Sequence, residues 1–137
     1  MATARDERWV LICDDEVRLG KLTAGLLTQS GYMAKTVSDG QQALRTLETD
    51  SGCGALLLDV NLPGLSAREL LARMRASGLH QPVILTSGYP EEDVAPELMR
   101  DPMVKAYLGK PYTLDQLLAV VQGALDAACL PQSGSAS

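Results

Sequence analysis

The 137-residue sequence predicts an α/β fold in which five parallel strands alternate with five helices in a doubly wound sheet. Two kinds of segment alternate from one end of the chain to the other. Short, uninterrupted apolar runs have the length of strands and the composition of strands that are covered on both faces. The segments between them place apolar residues at helical spacing. Because right-handed crossovers join parallel strands, a β-α unit repeated five times predicts this sheet.

The predicted strands comprise four apolar runs and one that is more polar. The apolar runs are Val10–Cys13, Ala55–Leu58, Val83–Thr86 and Ala106–Leu108. Because these runs do not alternate between apolar and polar residues, both faces of each strand are expected to be covered by helices. The more polar run, Tyr32–Val37, is better suited to an edge of the sheet.

The intervening segments repeat apolar residues every three or four positions, as the buried face of a helix requires. The repeats are Leu19, Leu22, Leu26 and Leu27, then Ala43, Leu44 and Leu47, then Ala67, Leu70, Leu71 and Met74, and finally Leu114, Leu117, Leu118, Val121 and Leu125. Two helix starts carry the pattern of a capping box, in which two side chains three positions apart satisfy backbone N–H groups. These pairs are Ser66 with Glu69 and Thr113 with Gln116.

The fourth helix, after Pro90, is predicted to be short, broken or displaced. Its first turn carries Glu91, Glu92 and Asp93, whose negative charges are favourable at a helix N-terminus. Pro96 follows closely, and a proline inside a helix removes a hydrogen-bond donor and clashes with the preceding turn. The cost is about 3 kcal/mol.

Composition and charge exclude several classes of protein. Seventeen acidic and twelve basic residues give a net charge of −5, and an acidic surface repels the phosphate backbone of nucleic acids. No apolar stretch is long enough to span a bilayer, and the polar N-terminus is not a signal peptide. The cysteines Cys13, Cys53 and Cys129 are odd in number and widely spaced, which indicates reduced thiols. We therefore expect a cytoplasmic domain that contacts neither membrane nor nucleic acid.

Polar side chains follow four of the five predicted strands. The first strand is followed by Asp14-Asp15-Glu16, the third by Asp59, the fourth by Ser87 and the fifth by Lys110-Pro111. Because the carboxyl ends of parallel strands meet at one edge of a sheet, these groups are expected to lie close together. Three crowded carboxylates resist joint ionisation unless a cation lies among them, and oxygen ligands favour Mg²⁺. A carboxylate beside Mg²⁺ and a lysine can act as the nucleophile in phosphoryl transfer.

Four stretches carry a resemblance to a known family. They are residues 10–16 (VLICDDE), 57–64 (LLDVNLPG), 82–88 (PVILTSG) and 106–112 (AYLGKPY). In this order and at this spacing, the sequence resembles the response-regulator receiver domain of two-component signalling over residues 8–128. That family has a flavodoxin-like (βα)5 fold with strand order 2-1-3-4-5. The resemblance implies a receiver domain over residues 8–130, with flexible ends at 1–7 and 131–137.

Carried over by position, the resemblance implies that Asp59 is the phosphoacceptor. Asp15 and Asp59 would bind Mg²⁺ directly, Asp14 would bind it through water, and Asn61 would bind it through the backbone carbonyl. This ligand set agrees with the preference of Mg²⁺ for oxygen donors.

The resemblance also assigns residues to the phosphoryl group and to the response. Ser87 would hydrogen-bond the phosphoryl group and Lys110 would pair with it, while the neighbouring Thr86 is a rival for the hydroxyl role. Tyr107 matches the aromatic residue whose rotamer follows the movement of Ser87, although a half-buried core role fits it nearly as well. The family also has a cis peptide bond before the proline that corresponds to Pro111.

The sequence departs from the family pattern after Gly64. The family usually continues with Asp or Ser and then Gly, whereas this chain continues with Leu65-Ser66-Ala67. Because alanine does not enter left-handed conformations as cheaply as glycine, this turn is expected to differ slightly.

Three other functions fit parts of the pattern. A phosphatase of the haloacid dehalogenase type also uses an aspartyl nucleophile, Mg²⁺ and lysine, but it needs a second aspartate where Asn61 stands. A flavodoxin-like nucleotide carrier would have small residues after the first strand, whereas Asp14-Asp15-Glu16 would repel phosphate. A docking module that is never phosphorylated would have no need of the full charged cluster.

The resemblance implies that a histidine kinase or a histidine phosphotransfer domain is the partner, and homodimerisation is left open. Such a domain is not a conventional enzyme, although it catalyses its own phosphotransfer and dephosphorylation. Residues 66–70, 87–89 and 110–114 look most like receivers at the C-terminal end of hybrid sensor histidine kinases. The domain is therefore expected to be either a stand-alone receiver or a piece of a larger protein, of which a hybrid kinase is the type that it resembles most.

Overall fold

The computed structural model describes residues 9–50, 52–62 and 64–129, so the predicted flexible ends at 1–7 and 131–137 lie outside it. The strands are β1 (Trp9–Cys13), β2 (Met33–Val37), β3 (Cys53–Asp59), β4 (Val83–Ser87) and β5 (Val104–Gly109). The helices are α1 (Val17–Gln29), α2 (Gly40–Thr49), α3 (Ala67–Ala76), α4 (Pro96–Met99) and α5 (Leu114–Cys129). None of the helices within these ranges is long and apolar enough to cross a membrane.

The five strands form one parallel sheet in the order β2-β1-β3-β4-β5. This order confirms the predicted fold class. Every residue of the three central strands is buried. β2 lies at an edge, and three of its five residues are exposed, as its polar composition predicts.

Helices cover both faces of the sheet, and the core is divided accordingly. On one face, Leu11 and Cys13 of β1 belong to a cluster with apolar residues of α2, α3 and α4. On the other face, Val10 and Ile12 belong to a cluster with apolar residues of α1 and α5. The alternation of side chains along each strand thus fills two cores, which explains the uninterrupted apolar runs.

Both predicted capping boxes are present. At the start of α3, the Ser66 hydroxyl accepts from the Glu69 N–H, and the Glu69 side chain accepts from the Ser66 N–H. Before α5, the Thr113 N–H donates to Gln116 Oε1 at 2.9 Å, and the Gln116 N–H donates to Thr113 Oγ1 at 3.1 Å. Each box therefore satisfies N–H groups that have no partner inside the helix.

The segment after β4 contains the short fourth helix that the sequence predicts. α4 has four residues and begins at Pro96, whose missing N–H costs nothing in a first turn. The acidic residues Glu91–Asp93 do not form the first turn of this helix but a separate 3₁₀ turn. The proline thus starts the helix instead of interrupting it, which corrects the expected boundary.

The turn after β3 accommodates its unusual sequence without a left-handed alanine. Gly64 takes the left-handed conformation, with φ +71°, while Ala67 is the first residue of α3. Leu65 is buried, and its carbonyl oxygen would lie 2.4 Å from a Cβ atom placed on Gly40. Because any side chain at residue 40 would collide with this backbone, the turn packs directly on the start of α2.

Candidate functional site

Two buried carboxylates lie side by side at the carboxyl edge of the sheet. Asp14 follows the last residue of β1, and Asp59 is the last residue of β3. Cys13 pairs with Leu58 in the parallel register, so the next residues of the two strands are Asp14 and Asp59. Only 5% of Asp14 and 4% of Asp59 is exposed. The pairing of the two strands therefore brings together the two acids that the sequence places at strand ends.

Backbone N–H groups hold one oxygen of each carboxylate. The Glu16 N–H donates to Asp14 Oδ1 at 2.9 Å, and the Asn61 N–H donates to Asp59 Oδ1 at 2.9 Å. In both cases the donor lies two residues after the acid, which is the geometry of an Asx turn. These bonds fix the plane of each carboxylate and leave the Oδ2 atoms available to other partners.

The ammonium group of Lys110 lies between the carboxylates. Its Nζ atom is 2.9 Å from Asp14 Oδ2, 3.0 Å from Asp59 Oδ2 and 3.2 Å from Glu16 Oε1. The peptide bond between Lys110 and Pro111 is cis. One cation thus faces three carboxylates, so the site keeps an excess of negative charge.

The charges at the site shift pKa values in opposite senses. Burial raises the pKa of Asp59, and the hydrogen bonds from Asn61 and Lys110 offset that effect only in part. Burial by itself lowers the pKa of Lys110, but the hydrogen bonds to Asp14 and Asp59 outweigh it and hold that pKa above its ordinary value. Lys110 therefore stays charged at neutral pH, while Asp59 takes up a proton more readily than an exposed aspartate does.

The carboxylates also form a cluster that suits a divalent cation. Oxygen atoms of Asp14, Asp15 and Asp59 lie within 4.8 Å of one another, and Asp15 is exposed to solvent. The Cys13 thiol donates to the carbonyl oxygen of Asp39, and its burial raises its pKa to about 12. Because this sulfur stays protonated and engaged elsewhere, the ligand set consists of hard oxygen atoms. Such a set fits Mg²⁺ and not a metal that prefers sulfur or nitrogen.

Two buried hydroxyl residues end β4. The Ser87 hydroxyl accepts from the Tyr89 N–H at 3.0 Å, and the Ser87 carbonyl accepts from the Lys110 N–H at 2.8 Å. Thr86 is also buried and pairs with Asp59 in the strand register. Ser87 therefore connects the strand end with the loop that carries the lysine, and its choice over Thr86 stays a prediction.

Tyr107 and Asn61 lie near this edge of the sheet. Tyr107 is half-buried, and its hydroxyl donates to the carbonyl oxygen of Tyr89 in the loop after β4. The Asn61 side chain is exposed, and its backbone N–H contacts Asp59. The roles assigned to these two residues from the resemblance stay predictions.

Sequence reasoning missed one contact beside the site. Thr23 of α1 is fully buried, and its Oγ1 atom lies 2.6 Å from the hydroxyl oxygen of Tyr112. Thr23 lies three residues after Gly20 and four before Leu27, so it occupies the buried face of α1. A polar residue on an apolar helix face was the available signal, but the partner is 89 residues away in sequence.

A doubly wound parallel sheet with buried carboxylates and a lysine at its carboxyl edge defines a class of α/β domains that bind ligands at strand ends. Comparison with known proteins identifies the family within that class. The chain belongs to the response regulator receiver domain family, whose model matches residues 10–122. It is therefore a receiver domain of two-component systems.

The relatives with curated descriptions are longer proteins. The transcriptional regulatory protein TcrA of Mycobacterium tuberculosis is 35% identical over 111 residues, which are 80% of this chain and 43% of TcrA. The sensor histidine kinase RcsC of Salmonella typhi is 34% identical over 118 residues, which are 85% of this chain and 12% of RcsC. The chain thus spans less than half the length of these two relatives.

Solved structures show the same fold. The receiver domain of NtrX from Brucella abortus has a TM-score of 0.76 and 29% identity, covering 85% of this chain and 98% of that domain. A response regulator receiver domain protein from Methanospirillum hungatei has a TM-score of 0.78 and 23% identity, covering 88% of this chain and 95% of that protein.

Proposed function

We propose that residues 8–130 form the phosphoacceptor receiver domain of a two-component phosphorelay. In this proposal, Asp59 takes a phosphoryl group from a phosphohistidine in the presence of Mg²⁺, and the domain then changes conformation. The single observation that carries the proposal is the position of Lys110 Nζ, 3.0 Å from Asp59 and 2.9 Å from Asp14. A buried nucleophile beside a fixed cation is what phosphoryl transfer to a carboxylate requires.

The transfer itself needs one bond to form and one to break. An Asp59 carboxylate oxygen attacks phosphorus, the P–N bond to the donor imidazole breaks, and the electron pair of that bond stays on the imidazole nitrogen. Asp59 Oδ1 is held by the Asn61 N–H, so we assign the attack to Oδ2, which faces Lys110. Lys110 then pairs with the charge on the phosphoryl oxygens, and the Ser87 hydroxyl donates to one of them.

Asp14, Asp15, Asp59 and the carbonyl oxygen of Asn61 are the groups that would hold Mg²⁺. When bound, the ion neutralises charge on the carboxylates and the transferring group. The chain supplies several carboxylates and only one lysine among them. This excess of carboxylates supports the proposal that Mg²⁺ acts as a second cation in the reaction.

The alternatives are less well supported. Membership of the receiver family argues against a phosphatase of the haloacid dehalogenase type, as does Asn61 at the position of that family's second aspartate. A docking module that is not phosphorylated would not need Asp14 and Asp59 to be buried. Burial of carboxylates costs desolvation free energy, so it argues for a role of these acids in the function of the domain.

The partners and location that fit this function follow from the chemistry of the donor. We propose a histidine kinase or a histidine phosphotransfer domain as the donor, acting in the cytoplasm without direct contact with nucleic acid or membrane. Because RcsC is a sensor histidine kinase, a hybrid kinase is one parent protein that suits the domain. A homodimer is compatible with the same chemistry.

Incubation with acetyl phosphate and Mg²⁺ tests the function. We expect the intact mass to rise by one phosphoryl group, and we expect EDTA to prevent the gain. Hydroxylamine should remove the group, because it cleaves acyl phosphates and leaves phosphate esters of serine and threonine intact. A gain that resists hydroxylamine, or no gain at all with Mg²⁺ present, contradicts the proposal.

Replacing Asp15 with alanine is expected to weaken Mg²⁺ binding about 10- to 100-fold, because it removes one carboxylate from the cluster. The same change should slightly stabilise the metal-free domain, since it relieves repulsion among like charges. Calorimetric titration with Mg²⁺ and thermal unfolding without metal measure the two effects. Glu92→Ala removes an exposed acid from the 3₁₀ turn after β4 and serves as the control, which should bind Mg²⁺ like the wild type. Equal Mg²⁺ affinities for Asp15→Ala and the wild type would count against Asp15 as a ligand.

Replacing Ser87 with alanine is expected to slow phosphorylation by acetyl phosphate about tenfold, because the phosphoryl group loses a hydrogen-bond donor. In Ser87→Ala, the NMR signals of the Tyr107 ring should not shift on phosphorylation. In the proposed mechanism the Ser87 hydroxyl draws the loop after β4 towards the phosphoryl group, and the variant lacks this hydroxyl. Thr86→Ala is the matched control and should stay close to the wild-type rate. If Thr86→Ala slowed phosphorylation and Ser87→Ala did not, Thr86 would be the residue that donates to the phosphoryl group.

A further inference from the structure

A hydrogen bond between α1 and the loop after β5 lies beside the site. Thr23 Oγ1 and the Tyr112 hydroxyl oxygen are 2.6 Å apart, and Thr23 is fully buried. Tyr112 is half-buried and packs against the core cluster that contains Leu117 of α5. The bond therefore joins two elements that are distant in sequence, and it is partly buried.

The loop that carries Tyr112 also carries the lysine of the site. Lys110, Pro111 and Tyr112 are consecutive, and the Lys110 N–H donates to the Ser87 carbonyl at 2.8 Å. That bond fixes the loop to β4 on one side of the lysine. The bond to Thr23 fixes it to α1 on the other side.

Helix α1 itself begins directly after the acidic residues. Asp14, Asp15 and Glu16 precede its first residue, so the position of α1 and the position of these acids are connected. Thr23, Tyr112, Lys110 and Glu16 also line one surface cavity of about 440 Å³. The bond thus connects the helix that follows the acidic residues with the loop that carries the lysine.

Core packing alone does not require hydroxyl groups at Thr23 and Tyr112. A valine would fill the position of Thr23 equally well, and a phenylalanine would fill that of Tyr112. A buried hydroxyl whose partner is removed is left unsatisfied, which is unfavourable. Two hydroxyls that satisfy each other therefore add a directional constraint that apolar side chains of the same shape would not provide.

We propose that Thr23 and Tyr112 are positioning residues, whose hydrogen bond holds Lys110 in reach of the phosphoryl group on Asp59. This inference rests on the proposed phosphoacceptor function and adds two residues to it. Neither residue touches the reacting atoms. Both act through the backbone of the loop that carries Lys110.

The test uses Tyr112→Phe, Thr23→Val and the double variant, with acetyl phosphate at saturating Mg²⁺. We expect each single change to slow phosphorylation about tenfold, as a small misplacement of a catalytic group does. The double variant should be no slower than the single variants, because all three lack the same bond. The Mg²⁺ affinity of these three variants should equal that of the wild type. Thr23→Ser keeps a hydroxyl at residue 23 and should therefore be phosphorylated at the wild-type rate.

The double variant separates positioning from stability. Tyr112→Phe leaves the fully buried Thr23 hydroxyl without its Tyr112 partner, whereas the double variant removes both hydroxyls, so the unfolding midpoint of the double variant should recover relative to Tyr112→Phe. The phosphorylation rate should stay low in spite of this recovery. Tyr32→Phe, at a tyrosine packed against the same core cluster, is the control and should keep the wild-type rate.

Two results would overturn the inference. One is a wild-type rate in both single variants, and the other is a rate that returns together with stability in the double variant. If the wild-type chain itself took no phosphoryl group, the proposed function would fail first. The NMR shift of Lys110 Nζ, which reports its contact with Asp14 and Asp59, would still test the positioning role, and a shift unaltered by Tyr112→Phe would refute it.

Discussion

Replacement of Asp59 by asparagine is expected to lower phosphorylation by acetyl phosphate by on the order of 10³-fold or more, to background. The neutral amide lacks the carboxylate oxygen that would attack phosphorus in the proposed transfer, yet it keeps the shape of the side chain. Its oxygen can still accept from the Asn61 N–H, so the fold should be retained. Intact-mass spectrometry measures the phosphorylated fraction, and circular dichroism checks the fold.

A matched control is available at the end of α2, before β3 begins. Asp50 pairs with Lys35 at 2.7 Å on the protein surface, so Asp50→Asn removes an aspartate without touching the site. We expect that variant to be phosphorylated like the wild type. A phosphorylated fraction in Asp59→Asn equal to that of the control would assign the acceptor to another residue.

The same substitution should also change how stability depends on pH. Burial raises the folded-state pKa of Asp59 above the ordinary 3.8, so the folded state binds a proton that the unfolded state releases. In wild type without metal, the contribution of Asp59 to stability should therefore improve as the pH falls from neutral through the raised pKa. Asp59→Asn should remove that contribution, and chemical unfolding at several pH values measures the difference.

The proximity of Asp14, Asp59 and Lys110 was predictable because a parallel sheet places the carboxyl ends of its strands at one edge. Asp14, Asp59 and Lys110 each follow an apolar run, and knowledge of the strand order is enough to bring them together. Their contacts were not predictable. That Lys110 bridges both buried carboxylates depends on the path of the loop, which no local pattern describes.

The fourth helix shows a different limit of sequence reasoning. Pro96 is compatible with the first turn of a helix and incompatible with its interior, so the same residue predicts either a start or a break. In the structure Pro96 is the first residue of α4, and Leu98 of that helix is buried in the core on one face of the sheet. The apolar residues of this segment, and not the acidic residues Glu91–Asp93, are the ones that pack against the core.

Replacement of Lys110 by methionine is expected to have the second largest effect. Methionine keeps much of the volume of the side chain but leaves Asp14 and Asp59 buried without their cation. Removing one partner of a buried ion pair is strongly unfavourable, so we expect a loss of about 3 kcal/mol in the free energy of unfolding at pH 7.5. Phosphorylation should slow by about 100-fold or more, since the phosphoryl oxygens lose their fixed cation.

The sign of the pH dependence distinguishes this explanation from simple loss of packing. The pKa of Lys110 is raised in the folded state, so its contribution to stability is complete at pH values below its ordinary 10.5 and is present in full at pH 7.5. Without Lys110, the folded-state pKa of Asp59 should rise further, and protonation should restore stability as the pH falls. Urea unfolding of Lys110→Met should therefore show a deficit at pH 7.5 that shrinks towards pH 5.

Adding Mg²⁺ to Lys110→Met should distinguish a loss of charge from a loss of packing, because a cation bound at the carboxylates would replace the missing positive charge. If the deficit of Lys110→Met is electrostatic, adding Mg²⁺ should recover part of the lost stability, whereas a packing defect would remain. Lys105→Met, at an exposed lysine of β5, removes a charge remote from the carboxylates and should behave like the wild type throughout. A deficit in Lys110→Met that neither acid nor Mg²⁺ reduces would show that Lys110 stabilises the fold through contacts other than those with Asp14 and Asp59.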